Sequence, residues 1–362
     1  MKYTTRVNNI IYFEMRRKAY YLLMVTVLAG LTLCASISPL SADEGRTPIY
    51  QPTTITQSGH YIITRNISVT SGDAITIQAN EVTLDLNGKT IASSSTSGYL
   101  IAIANGYSNI TIRNGFLAGG SEGVHYSNSS TRTRLYLENL AIRNSASYGM
   151  EIFGAEHVDV ISCRIYSSGS SGIYLHGGSA LFSGSVINSS VNGAGASGIE
   201  LNGLTSGEVR GNTVLNFGTA GYSHGISLNT VFGQNAKGNL VDGNTVSGGG
   251  SDDAGITIAV GSAYNLIINN TITSNGIGIS VNSNGNSASR NLIANHSSHG
   301  IEIYGNYNLI EQNQIVGNGT GGSGFGIAFG SAGSNAYRNN MLRNNISGPV
   351  FGGNTDAGGN II

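Results

Sequence analysis

A four-residue phrase, glycine followed by an apolar, a variable and a second apolar residue, recurs along this chain and limits what it can fold into. It stands at Gly149-Met150-Glu151-Ile152, Gly172-Ile173-Tyr174-Leu175, Gly198-Ile199-Glu200-Leu201 and Gly225-Ile226-Ser227-Leu228. It continues at Gly255-Ile256-Thr257-Ile258, Gly278-Ile279-Ser280-Val281, Gly300-Ile301-Glu302-Ile303 and Gly326-Ile327-Ala328-Phe329, at intervals of 22 to 30 residues. Gly123-Val124-His125-Tyr126 is a looser copy, and Ile75-Thr76-Ile77 and Ile101-Ala102-Ile103 fit with the glycine displaced. A period of this length signals a solenoid, in which each repeat buries its apolar residues only against its neighbours.

A second short strand lies downstream in each period, as at Val82-Thr83-Leu84, Asn109-Ile110-Thr111-Ile112, Arg134-Leu135-Tyr136-Leu137 and His157-Val158-Asp159-Val160. Apolar and polar residues alternate within it, the period of a strand with one buried face. No helical pattern follows residue 42. Short strands joined by Gly, Ser and Asn turns cannot bury their apolar faces alone, but stacked in parallel at ~4.8 Å they enclose a continuous column. The chain therefore reads as all-β: a single right-handed parallel β-helix of about eleven coils with an N-terminal cap. The expected boundaries are a cap and first strands over 43–71, repeats over 72–347 and a C-terminal tail over 348–362. Asn212, Asn244, Asn270, Asn291, Asn313 and Asn340 each stand two places before the apolar residue that closes the second strand. Asn tolerates left-handed backbone and bonds to local main chain, so these residues fit a stacked inward turn.

Arg16, Arg17 and Lys18 precede an apolar run from Ala19 to about Leu33 and a small-residue segment ending at Ser41-Ala42. That order is a secretory signal peptide over 1–42, with a run shorter than the ~20 residues of a membrane span. Met15 fits as the true start, an expectation that N-terminal sequencing of the precursor checks. Cys34 follows Leu33, where a lipoprotein signal wants a small residue. Cleavage after Ala42 leaves Cys163 as the one cysteine, so no intrachain disulfide forms. It leaves 13 basic and 18 acidic residues, a net charge of −5. That balance favours neither nucleic acid nor an anionic membrane, and the expected home is secreted or periplasmic.

The glycine and asparagine phrases, with Gly72-Asp73-Ala74-Ile75-Thr76-Ile77 and Val82-Thr83-Leu84-Asp85-Leu86-Asn87-Gly88, resemble the right-handed β-helix repeat proteins with a pectate-lyase-like fold, over about residues 50–345. The resemblance implies fold more than activity, because that superfamily holds polysaccharide lyases, glycoside hydrolases, uronate epimerases, adhesins and copper-associated periplasmic proteins. The Arg-x-Pro-x-x-Arg of pectate lyases and the Asp-Pro-His-Asp of mannuronan epimerases are missing here. Asp252-Asp253, in a Gly- and Ser-rich loop, reads as a solvated turn.

If the apolar positions of each phrase point inward, the variable residue and the one after the phrase point to solvent. Across the third to sixth coils these two outward columns hold His125, Glu151, Phe153, Tyr174, His176, Glu200 and Asn202, followed by Asn229. Elsewhere they hold mostly Ser, Thr, Ala and Asn. Rings stack on sugar faces and carboxylates and amides bond to hydroxyls, so a polysaccharide or cell-surface glycan is the expected partner. The catalytic candidates are Glu151, Tyr174, Glu200 and His176, and His125, Phe153, Asn202 and Asn229 are the binding candidates. Two rungs separate the Glu151 and Glu200 backbones by ~9.6 Å, which suits an inverting glycosidase pair. Hydrolysis is thus the first enzymatic reading. A lyase or epimerase would take Tyr174 or His176 as base. It would also need a cation, and with no Lys or Arg in either column that cation would be Ca²⁺ on Glu151, Glu200 and Asn202. Otherwise no cofactor and no metal is expected, a copper or zinc site on His125, Glu151 and His176 having histidines two coils apart. The rival class is a non-catalytic adhesive or structural β-helix of the cell surface.

Overall fold

The computed structural model describes residues 45–128, 132–218, 223–231, 233, 235–330 and 333–362. The expected signal peptide lies outside them. From Thr47 to Ile362 the chain is all-β, and the described residues contain no helix. No helix of the described residues is long and apolar enough to cross a membrane.

The glycine phrases form one parallel sheet of thirteen strands, from Thr53–Ile55 through Ile173–His176 to Gly348–Phe351. About eleven coils were expected. The two extra rungs are the end ones, where Thr53–Ile55 and Gly348–Phe351 carry no regular phrase yet pair in register with Ile75–Ile77 and Phe325–Phe329. The other two strands of each coil join in a second parallel sheet of 24 strands.

The stacking premise holds residue by residue. Ile101 pairs with Val124, Val124 with Met150, Met150 with Ile173 and Ile173 with Ile199, and all five are 0% exposed. The column runs on through Ile226, Ile256, Ile279, Ile301 and Ile327. Burying an Ile or Val fully contributes roughly 1.5–3 kcal/mol, so this column alone offsets much of the entropy of ordering short strands.

The phrase needs glycine because the coils approach too closely there for a side chain. A Cβ on Gly198 would lie 2.7 Å from the Gly225 carbonyl oxygen and 2.2 Å from a Val214 methyl. The same clash recurs at Gly172 against Gly198 O and Val191, and at Gly225 against Gly255 O and Val246. The apolar residue that closes each coil's last strand fills the space that glycine leaves.

Asn212, Asn244, Asn270, Asn291, Asn313 and Asn340 are buried and stacked inward. Asn244 Oδ1 accepts from Asn212 N–H and Nδ2–H, and its own Nδ2 donates to Val209 O and Asn270 Oδ1, at 2.8–3.0 Å. The left-handed conformation belongs to the residue before each of them, as at Gly243 (φ 63), Asn269 (φ 55) and Gln312 (φ 56). The expectation that the stacked Asn is itself left-handed is thus corrected: one residue makes the bend and the next satisfies the carbonyls inside it. A second ladder runs Asn239, Asn265, Asn286, Asn308, Asn335, and a third runs Asn275, His296, Asn318, Asn345. Asp253, expected in a solvated turn, is 1% exposed. Its carboxylate accepts N–H bonds from Ser223 at 2.6 Å and Gly250 at 2.8 Å, tying two loops together.

Candidate functional site

The outward columns stack as the alternation implies. His125, Glu151, Tyr174, Glu200 and Ser227 occupy successive rungs of the glycine-phrase sheet, and Ser127, Phe153, His176, Asn202 and Asn229 run beside them. All eight candidate residues therefore share one face. Phe153 stacks on His176 with centroids 4.3 Å apart, and Tyr174 lies 6.0 Å from His176. The His176 Nδ1 accepts the Gly178 N–H at 2.8 Å, which places the ring proton on Nε2, and burial lowers its pKa.

Glu151 and Glu200 are two rungs apart with Tyr174 between them. Glu200 accepts from Ser171 Oγ at 3.0 Å and from Asn202 Nδ2 at 3.3 Å, and Asn229 Nδ2 donates to Asn202 Oδ1 at 2.7 Å. These bonds tie three rungs of acceptors and donors into one polar track. Burial first, then the charge of Glu200, pushes the Tyr174 phenol up to about 12, so it stays protonated at neutral pH.

The carboxyl group in contact with Glu151 is one that the two columns did not contain. Glu122 Oε2 lies 2.6 Å from His125 Nδ1, and Glu151 Oε2 lies 3.2 Å from the same nitrogen. Tyr99 stacks on the His125 ring at 3.7 Å and 2°, fixing its plane. Glu122 is 4% exposed, and burial followed by the nearby Glu151 raises its pKa to about 7 against the opposing pull of His125. Burial would lower His125, but hydrogen bonds to Glu122 and Glu151 outweigh it and hold the ring at about 9. Burial would likewise raise Glu151, yet hydrogen bonds with His125 and Glu122 hold it below the usual carboxylate value. The donor atoms of the three residues lie within 4.8 Å of one another, a set that could hold a divalent ion. Both carboxylates converge on one nitrogen, and the 2.6 Å approach is that of a protonated imidazole between two carboxyl groups. His176 stays outside this set.

Tyr148 is a further addition, its ring 5.1 Å from Tyr174. Glu122, Tyr148 and Ser171 each precede the glycine of a phrase, and Tyr99 pairs with Glu122. Read as Glu-Gly and Tyr-Gly, these positions extend the cluster by one place before the glycine, with Glu122 and Ser171 buried at 4% and 1% exposed.

A family model described as a right handed beta helix region matches residues 183–346. No curated protein gives a significant sequence match. Among solved structures, the A-module of the Azotobacter vinelandii mannuronan C-5 epimerase AlgE6 superposes with a TM-score of 0.58 at 13% identity, covering 85% of this chain and 90% of that one. A double mutant of the periplasmic alginate epimerase AlgG gives 0.53 at 17% identity, covering 78% and 66%. Identities this low carry the fold and not the chemistry. The repeat, the parallel coils and these likenesses agree that the chain folds as a right-handed parallel β-helix.

Proposed function

We propose that the chain binds a polysaccharide along the outward face of the glycine-phrase sheet and hydrolyses it at Glu151. The observation that carries this reading is the register. Ring faces at Tyr148, Phe153, Tyr174 and His176 alternate over consecutive rungs with the acceptors and donors Glu151, Glu200, Asn202 and Asn229. Apolar faces beside a few placed polar groups are what a sugar chain needs. Two neighbours in fold are named for acting on mannuronan and alginate, which supports a glycan here.

Hydrolysis is favoured over elimination or epimerisation by charge. Glu151 and Glu200 make the face anionic, with His125 the one cation of the cluster, so a neutral glycan fits better than a polyuronate. Tyr174, held near 12, is a poor base for abstracting a ring proton. Two carboxyl groups whose pKa values are driven apart by their surroundings divide into acid and base. Glu151 is the charged, reachable partner and takes the nucleophile's or base's part. The proton for the leaving oxygen comes from the Nε2–H of the His125 imidazolium, whose Nδ1–H stays bonded to Glu122 and Glu151, and the water consumed in the hydrolysis supplies the proton that recharges the ring. Glu122 is buried against His125 and Glu151 and does not face a sugar bond itself, so the pair that acts on the bond is Glu151 with His125.

The test is a panel of neutral and acidic polysaccharides assayed for binding, new reducing ends and unsaturated ends. Reducing ends from a neutral glycan, reduced at least about 1,000-fold in Glu151→Gln with binding retained, are expected. Unsaturated ends would replace hydrolysis by elimination. Failure to bind any glycan would return the chain to the adhesive or structural class.

A further inference from the structure

A cavity of about 400 Å³ opens on the other side of the coil, where the second and third strands of the early coils meet at a bend. Its walls include Phe116, Asn139, Ala141 and Arg164, none of which belongs to the glycine-phrase face. Phe116 pairs with Ala141 and Ala141 pairs with Arg164, so the three stand in one column on successive rungs. The small Ala141 makes the floor of a slot, with an aromatic ring on one side and a guanidinium on the other, their backbones ~9.6 Å apart.

The chemistry of the walls is specific. Phe116 is 50% exposed, an apolar face held in water. Among the described residues the Arg164 side chain has neither an ion-pair nor a hydrogen-bond partner. The one carboxylate of the cavity, Asp85, is already paired with Arg113 at 3.2 Å and accepts from the Asn114 amide at 3.3–3.4 Å. It leaves the Arg164 charge uncompensated. Asn139 donates to Asn114 Oδ1 at 3.1 Å, and its own amide oxygen remains an acceptor for hydroxyl groups.

We propose that this cavity binds a uronate, a hydroxylated pyranose ring bearing one carboxylate. The carboxylate pairs with the fork of Arg164, the C–H face of the ring lies on Phe116, and ring hydroxyls meet Asn139. A planar guanidinium with one unmatched charge selects a monoanionic carboxylate, and the apolar ring beside it disfavours a simple inorganic anion.

The test is calorimetric titration of the full chain with glucuronate, glucose and inorganic phosphate, repeated in Arg164→Gln and Phe116→Ala. Both side chains project from the outer face of the sheet, and far-ultraviolet dichroism of the variants checks the fold. Glucuronate is expected to bind at least tenfold more tightly than glucose or phosphate, and each substitution is expected to weaken it at least tenfold. A glucuronate-terminated oligosaccharide separates two sources: tighter binding assigns the cavity to a polymer end, and equal binding assigns it to the free sugar acid. No uronate binding overturns the proposal, as does binding that survives Arg164→Gln, or phosphate binding that matches uronate and ignores Phe116→Ala. Glu151→Gln is expected to leave uronate binding unchanged, so failure here and failure of the hydrolytic reading are separable.

Discussion

Single residues set the titration behaviour of this protein. Glu122 holds its proton up to about pH 7 because it is buried behind His125, while Glu151 is ionised well below that. If the His125 imidazolium gives the proton, kcat/KM falls as pH rises through about 9, and Glu122→Gln, which removes a carboxyl group that holds the ring charged, lowers the rate and moves that limb to lower pH. A limb that stays in place in the Gln variant would assign the titration elsewhere. His296 acts on stability instead. It occupies an asparagine's place in the third ladder, with Nδ1 accepting from Asn275 N–H at 3.2 Å and Nε2–H donating to Ile272 O at 3.1 Å. Burial holds its folded pKa near 4, against 6.5 in the unfolded chain. The unfolded state therefore binds the extra proton first, so stability is full above about pH 6.5 and declines as pH falls toward 4. The loss is expected to reach roughly 2–3 kcal/mol by pH 4. His296→Asn, which continues the ladder, should flatten that part of the denaturation midpoint against pH.

At the scale of the strand and its bends, what repeats is what the sequence made legible. The glycine phrase was readable because each copy meets the same neighbours: a carbonyl above and a branched side chain across. Gly198→Ala forces a methyl group to 2.2 Å from Val214 and should cost about 1–3 kcal/mol, seen as a lower denaturant midpoint. Asn244→Leu leaves the Val209 carbonyl and the Asn212 amide unsatisfied inside the bend, and should cost more, about 3–5 kcal/mol. Alternation also placed His125, Glu151, Tyr174 and Glu200 on one face. Glu122 and Tyr148 escaped because they stand before the glycine: Glu122 opens the strand Glu122–Ser127, whose first three residues are all buried instead of alternating, and Tyr148 lies before Met150–Phe153. Asp253 escaped for the opposite reason. An Asp pair in a Gly- and Ser-rich loop looks solvated, and only the return of Ser223 and Gly250 onto Asp253 buries its carboxylate. Arg164 and Phe116 were invisible as a pair, since nothing in their spacing marks Ala141 as the gap between them.

For the coil as a whole, stability is a sum over neighbouring rungs, and among the described residues the first and last rungs have a neighbouring rung on one side only. Ile346, Phe351, Ile361 and Ile362 are each at least half exposed at the C-terminal end, whereas the central isoleucines are at 0%. Amide hydrogen exchange should therefore be fastest over 47–55 and 348–362 and slowest in the coils carrying Ile199, Ile226 and Ile256. Uniform protection from end to end would contradict the nearest-neighbour account. The cluster of Glu122, His125 and Glu151 lies well inside the ends, in coils braced from both sides.

Thirteen rungs built on one backbone trace also make the chemistry portable. By their places in the phrase, Ser197, Glu200 and Ser227 hold the addresses of Glu122, His125 and Glu151 three coils further on. Three point changes there would write a second copy of the cluster at a distance set by counting rungs. Such a scaffold lets evolution, or an engineer, slide a reactive centre along a fixed ruler without redrawing the fold.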